Sequence, residues 1–129
     1  MAHPNADLVR EGFEAFAAGD VATLDRLIAD DATWHSSGRN PLAGDFVGKA
    51  AILESFARVR TQTDSFKQDI HAIVADDDHV VALVNATTTR GGKTLEQQQA
   101  LVFHVADGKA TEVWVFPADQ YAVDEFWAS

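Results

Sequence analysis

The second half of the chain carries the strongest constraint on its fold. Four long runs of strand-like composition occupy about residues 65–75, 79–90, 94–106 and 110–116. The breaks between them are Asp76-Asp77-Asp78, Gly91-Gly92 and Asp107-Gly108, and short Asp/Gly breaks between such runs are hairpin turns. Strands joined in this way form an antiparallel meander. The first half has a different period. Leu8, Val9, Phe13, Phe16 and Ala17 recur at helical spacing, with Asn5 or Asp7 as a cap and Gly19 as a stop. Asp20 opens a second short helix through Val21, Leu24, Leu27 and Ile28, and residues 32–36 read as a short strand. Residues 37–48 form a loop punctuated by Gly38, Pro41, Gly44 and Gly48. A third helix follows with Ile52, Leu53, Phe56 and Val59 on one face, and Asp119 caps a last helix that ends in Phe126 and Trp127.

Helices first and a meander after predict an α+β fold, with N-terminal helices packed on one face of a strongly curved antiparallel sheet. Residues 1–129 read as one domain, with no linker, repeat or low-complexity segment. A curved sheet closed by helices leaves a cone whose interior is the natural place for a small apolar molecule.

Charge and composition narrow the function. Twenty acidic residues against 10 basic ones give a net charge of −10, and no Lys/Arg cluster offsets it, so neither nucleic acid nor an anionic membrane is an expected partner. The absence of cysteine excludes disulfides, thiolate chemistry and Cys-based metal sites. The histidines have no metal-ligand spacing, so no metal is expected. No dinucleotide, P-loop or Gly-x-Ser-x-Gly motif is present, and no cofactor is expected. The first residues are polar, and the longest apolar run, 80–84, is too short to span a bilayer, so the default location is cytoplasmic.

Trp34 and His35 sit together at the end of the short strand, just before the Gly/Pro loop. An imidazole titrates near neutral pH and can act as a general acid or base, so His35 is the leading catalytic candidate. A histidine bonded only to the neighbouring loop is the structural alternative. Adjacent strand residues face opposite ways. If His35 lines the cone, Trp34 packs against the helices, and the two roles can be exchanged. Asp119 is the second catalytic candidate, able to orient His35 or to act as a base. Its position after Pro117-Ala118 is equally that of a helix N-cap.

In the third long run, Leu95, Gln97, Gln99, Leu101, Phe103 and Val105 share one face, which becomes more apolar towards its end and is the expected interior lining. Gln97 and Gln99 are its polar handles, and His104 then falls outside. His71 shares a strand face with Ile73 and is expected inside. Trp114 and Phe116 are candidate pocket aromatics, with core or interface packing as the alternative. Gln97, Gln99 and Tyr121 are candidates to bond a developing oxyanion.

The chain resembles the SnoaL-like branch of the nuclear transport factor 2-like superfamily, which is related to ketosteroid isomerases and polyketide cyclases. The resemblance rests on Asp30-Asp31-Ala32-Thr33-Trp34-His35, on Gly38 followed by Leu42-Ala43-Gly44-Asp45-Phe46-Val47-Gly48, and on Phe103-His104-Val105-Ala106-Asp107-Gly108-Lys109. Glu112-Val113-Trp114 and the ending from Asp119 to Trp127 extend it over nearly the whole chain. It implies a conical α+β barrel, a pocket inside the cone and frequent homodimers through the outer sheet face. It does not imply one reaction, because members include isomerases, cyclases, hydrolases, dehydratases and proteins with no known catalysis. The isomerase trio of carboxylate, tyrosine and protonated acid does not map here, because the single tyrosine, Tyr121, lies near the C-terminus.

The expectation is a small-molecule pocket protein. In one version it is a cofactor-free acid/base enzyme, an isomerase, cyclase, dehydratase or hydratase acting on an apolar carbonyl- or hydroxyl-bearing compound. In the others it is a non-catalytic binder or a dimeric interaction module. Titratable pairs in contact inside the cone favour the enzyme, and isolated polar groups among apolar walls favour the binder.

Overall fold

The computed structural model describes residues 3–128. The elements run α1 (Pro4–Ala18), α2 (Val21–Leu27), β1 (Ile28–Ser36), β2 (Gly44–Val47), α3 (Lys49–Thr61), β3 (Ser65–Ala75), β4 (His79–Arg90), β5 (Lys93–Ala106), β6 (Lys109–Pro117) and α4 (Gln120–Trp127). The strands form one six-stranded sheet in the order β2-β1-β6-β5-β4-β3. Neighbours are antiparallel except β1 and β6, which run parallel. The expected α+β architecture is therefore present, with the meander forming four of the six strands.

Local chemistry accounts for most boundaries. The imidazole Nδ1 of His3 accepts from the Asn5 N–H and caps α1, with Pro4 in its first turn, so the cap is neither Asn5 nor Asp7. Gly19 ends α1 at φ +71°, a left-handed stop that suits glycine. The Asp20 carboxylate accepts from Thr23 N–H and Thr23 Oγ1, which starts α2. Gly91 and Gly92 both have positive φ, as do Asp107 and Gly108, the signature of two-residue hairpin turns. At the remaining turn Asp76 Oδ1 accepts from the N–H groups of Asp78 and His79.

Two elements differ from the sequence reading. Ile28 begins β1 instead of ending α2, because the β-branched residue pairs with Ala110 of β6. The segment 44–47, expected as loop, is the edge strand β2, pairing with Thr33 to Ser36 despite Gly44.

Side chains alternate across β4. On β4, Val80, Ala82, Val84, Ala86 and Thr88 are all buried, whereas His79, Leu83 and Asn85 are exposed on the other face. The buried face receives α1 through Val9 and meets Leu101, Phe103 and Val113 of β5 and β6. A second cluster joins Ala15, Leu24, Ile28, Ala32 and Ile52, tying the three N-terminal helices to β1. A third joins Leu95 to Phe126 and Trp127 and seats α4. Register shifts interrupt β3 at His71, the β5–β6 pair after His104 and the β1–β6 pair between Ile28 and Thr33. Such bulges bend and twist a sheet, which wraps this one around its helices.

Candidate functional site

The concave face of the sheet and the helices enclose a cavity of about 220 Å³. For scale, a dry apolar cavity of roughly 150 Å³ accommodates benzene. Six aromatic side chains on its wall form a continuous run of edge-to-face contacts. Phe13 meets Phe103 at 6.4 Å, Phe103 meets Trp34 at 6.4 Å and Trp34 meets Phe56 at 4.8 Å. Phe56 then meets Phe16 at 5.4 Å, and Phe16 meets Phe66 at 5.5 Å. Rings packed this way present both faces and edges to an aromatic guest.

Gly12 also lines the cavity, in the middle of α1. A glycine there costs about 0.5–1 kcal/mol of helix stability relative to alanine. No close contact demands it: a Cβ would meet only Leu27 Cδ1, at 3.9 Å. Its effect is to leave open the space that a side chain would fill.

Among the described residues the lining contains no Asp, Glu, His, Lys, Tyr or Cys. The one charged lining residue, Arg58, donates to the Pro41 carbonyl at 2.5 Å. Polar atoms come from Ser36, Ser37, Asn40, Ser55 and three glutamines, Gln68, Gln97 and Gln99. The loop 37–43 and α4 close one end. Asp124 Oδ1 accepts from Asn40 Nδ2 at 2.8 Å, Arg39 N–H at 2.9 Å and Gln120 Nε2 at 3.0 Å. The Asn40 amide, followed by the Arg39 and Gln120 donors, holds this carboxyl below its usual range. Ser37 Oγ donates to Gln120 Oε1 at 2.6 Å. Gly38, at φ +111°, permits this approach, since a Cβ there would lie 2.2 Å from Gln120 Nε2 and 2.3 Å from Asp124 Oδ1.

The expected interior position of His35 is corrected. Trp34, not His35, points into the cavity, because β1 places Trp34 opposite Val113 and Phe46 on the concave face and His35 opposite Trp114 and Asp45 on the convex one. His35 Nδ1 donates to Asp45 Oδ1 and Nε2 to Glu112 Oε2, both at 2.7 Å, while the ring stacks on Trp114 at 5.2 Å. Only the doubly protonated imidazolium donates to both carboxylates, so Glu112 first and Asp45 second raise its pKa.

Asp119 is exposed and caps α4, accepting from Ala122 N–H at 3.1 Å. The pairing of Asp119 with His35 is absent, because one carboxylate is held by a helix terminus and the imidazole by two others.

Gln97, Gln99 and Phe103 line the cavity with Trp34. Trp114, Phe116, Tyr121 and His71 are not among its lining residues, which corrects their expected place. Trp114 and Phe116 share the strand parity of Glu112 and face outward. Tyr121 is 88% exposed on α4. His71 sits at the bulge of β3 between Ile70 and Ala72, so its parity with Ile73 does not carry it inward. His104 lies outside as expected, edge-on to Trp114 at 4.8 Å and to His79 at 4.9 Å. The sequence reading missed Gln68, Gly12 and the partnership of Asp45 and Glu112 with His35. Gln68 was accessible through its alternation with Phe66 and Ile70. The carboxylate pair was not, because it depends on β2 and on the parallel β1–β6 register.

No helix among the described residues is long and apolar enough to cross a membrane, and they contain no group of three or more His, Cys, Asp or Glu side chains placed to hold a metal ion.

Comparison with known proteins gives the same fold. Residues 9–113 match the model of the SnoaL-like domain. The protein Rv0034 of Mycobacterium tuberculosis is 33% identical over 124 residues, covering 95% of each chain. The structure of Bal32a, from a soil-derived mobile gene cassette, superposes with a TM-score of 0.92 at 37% identity and covers 96% of both chains. An LEH-like epoxide hydrolase of M. tuberculosis shares the fold at 21% identity, with a TM-score of 0.76 over 96% of this chain and 91% of its own. The concave cavity, the curved six-stranded sheet and these matches lead to one conclusion: the chain belongs to the SnoaL-like domain family, within the NTF2-like fold.

Proposed function

We propose that this SnoaL-like protein binds a small, neutral, apolar, ring-bearing molecule inside its cavity and holds it without acid/base chemistry of its own. The observation that carries this reading is the lining: a run of six aromatic rings with no titratable carboxylate, imidazole, amine or phenol among the described residues. Proton transfer by His35 and Asp119 finds no support, since neither side chain lines the cavity and they do not meet. The stability forgone at Gly12 fits a space kept for a guest.

The test is calorimetric titration of the protein with naphthalene, repeated on Gly12→Leu. The leucine plugs the space from a helical position with no backbone strain. The wild type is expected to bind with saturable stoichiometry, and the variant to remain folded and lose binding by at least about tenfold. Naphthalene binding that is absent, or equal in both proteins, contradicts the proposal.

A second reading concerns the convex face. Val74, Leu83 and Phe116 are 66%, 39% and 52% exposed there, beside Trp114 and the histidines. We propose that this exposed apolar face, interleaved with histidines and carboxylates, pairs with a second copy of the chain. Sedimentation of wild type and Leu83→Lys at micromolar concentration tests this. A dimer converted to monomer is expected, and a monomeric wild type contradicts it.

A further inference from the structure

The cavity's polar atoms are concentrated on the sheet. Gln68 on β3 faces Ala86 on β4, and Ala86 faces Gln97 on β5, so two long amide side chains flank a methyl group on the concave face. Gln99 follows Gln97 on the same face of β5, opposite Val84. All three amides line the cavity. Gln97 Oε1 is enclosed and has no partner. A buried carbonyl left unpaired is a standing cost of folding, and a ligand hydroxyl that reaches it removes that cost.

We infer that Gln97 Oε1 accepts a hydrogen bond from the hydroxyl of the bound molecule, which makes the ligand class neutral phenols, enols and ring alcohols in preference to bare hydrocarbons, ethers and carboxylates. Ala86 keeps the stripe open, and Gln68 and Gln99 stand on either side to meet a second oxygen on the same ring. A carboxylate entering here would shed its hydration among apolar rings and meet an unpaired carbonyl oxygen, which repels it. Discrimination by a site built to accept a hydroxyl is steep, because the ligand that lacks it leaves the acceptor unpaired. Gln97 Oε1 therefore acts as the acceptor of a neutral donor.

This inference rests on the cavity-binding reading, and one experiment separates the two. Affinities of naphthalene, 2-naphthol and 2-methoxynaphthalene are compared on the wild type and on Gln97→Leu. On the wild type, 2-naphthol is expected to bind about tenfold tighter than naphthalene, the fold-change of one net hydrogen bond. The methoxy compound, which cannot donate to Gln97 Oε1, is expected to fall short of 2-naphthol. In Gln97→Leu the naphthol advantage is expected to vanish while naphthalene binding persists.

If naphthalene binds but naphthol shows no advantage, or the methoxy compound matches naphthol, the hydroxyl assignment is overturned and the cavity reading stands. If the advantage survives Gln97→Leu, the acceptor is not Gln97. If no probe binds the wild type, both readings fall. The comparison among probes on the wild type decides the hydroxyl preference even if the Gln97→Leu variant does not fold, and Gln97→Glu, read for the same loss of the naphthol advantage, then decides the acceptor.

Discussion

The two faces of one sheet have divided their chemistry. The concave face holds the aromatic run and the glutamines, with no carboxylate, imidazole, amine or phenol in the described lining. The convex face holds His35 between Asp45 and Glu112, with Trp114, His104 and His79 in ring contact beyond it. Both sets come from the same strands, one residue apart. Groups that look catalytic in sequence thus belong to the outside, and the cavity is left to shape, apolar contact and unpaired amides. Proximity in sequence to a pocket residue is poor evidence for chemistry in that pocket when the element is a strand.

Substitutions that treat the faces differently test this division. The largest expected effect is on the concave side. Phe103→Ala removes a side chain only 7% exposed and in contact with both Phe13 and Trp34, so a loss of about 3–5 kcal/mol is expected. Phe116→Ala, on the convex side at 52% exposure, is expected to change monomer stability by no more than about 0.5 kcal/mol. Urea denaturation of the two variants compares them directly, and equal losses would erase the distinction between the faces.

A smaller effect of opposite sign is expected at Gly12. Alanine fits with its Cβ no nearer than 3.9 Å to Leu27 Cδ1, so Gly12→Ala should raise stability by about 0.5–1 kcal/mol while weakening naphthalene. A variant that gains stability and keeps full binding would show that the glycine does not serve the guest.

The subtlest difference is a pH dependence confined to the convex face. The folded pKa of His35 lies above its ordinary 6.5, raised by Glu112 and then Asp45. Its stabilisation is therefore fully present below 6.5 and lost as pH climbs through the raised value. His35→Gln should be less stable than wild type at about pH 5.5 and nearly equal at about pH 9, as read by thermal melts. Naphthalene affinity should be unchanged in the variant at both. A stability gap that widens with pH would contradict the geometry of the His35 cluster.

The fold was largely legible because the hairpin turns at Asp76–His79, Gly91-Gly92 and Asp107-Gly108 are written in local chemistry. The polarity of β5 was legible for the same reason, and alternation from Leu95 to Val105 gave its inward face. Where long-range pairing decides, the sequence was silent. Gly44 to Val47 has no strand signature and becomes β2 by pairing with β1. The bulge at His71 breaks the two-residue period, so counting from Ile73 misplaces it. For the pair Trp34–His35, alternation alone offered both assignments. The choice follows from Phe46 and Val113, the concave-face partners of Trp34 on β2 and β6.

The tryptophans offer the most direct test of the central claim. Trp34 and Trp127 line the cavity, and Trp114 stacks on His35 on the far face. Titration of 15N-labelled protein with naphthalene, followed through the three indole N–H resonances, reads both faces in one sample. The account predicts saturable shifts of Trp34 and Trp127 with Trp114 unmoved. Shifts confined to Trp114, or no shift at any indole, would contradict it.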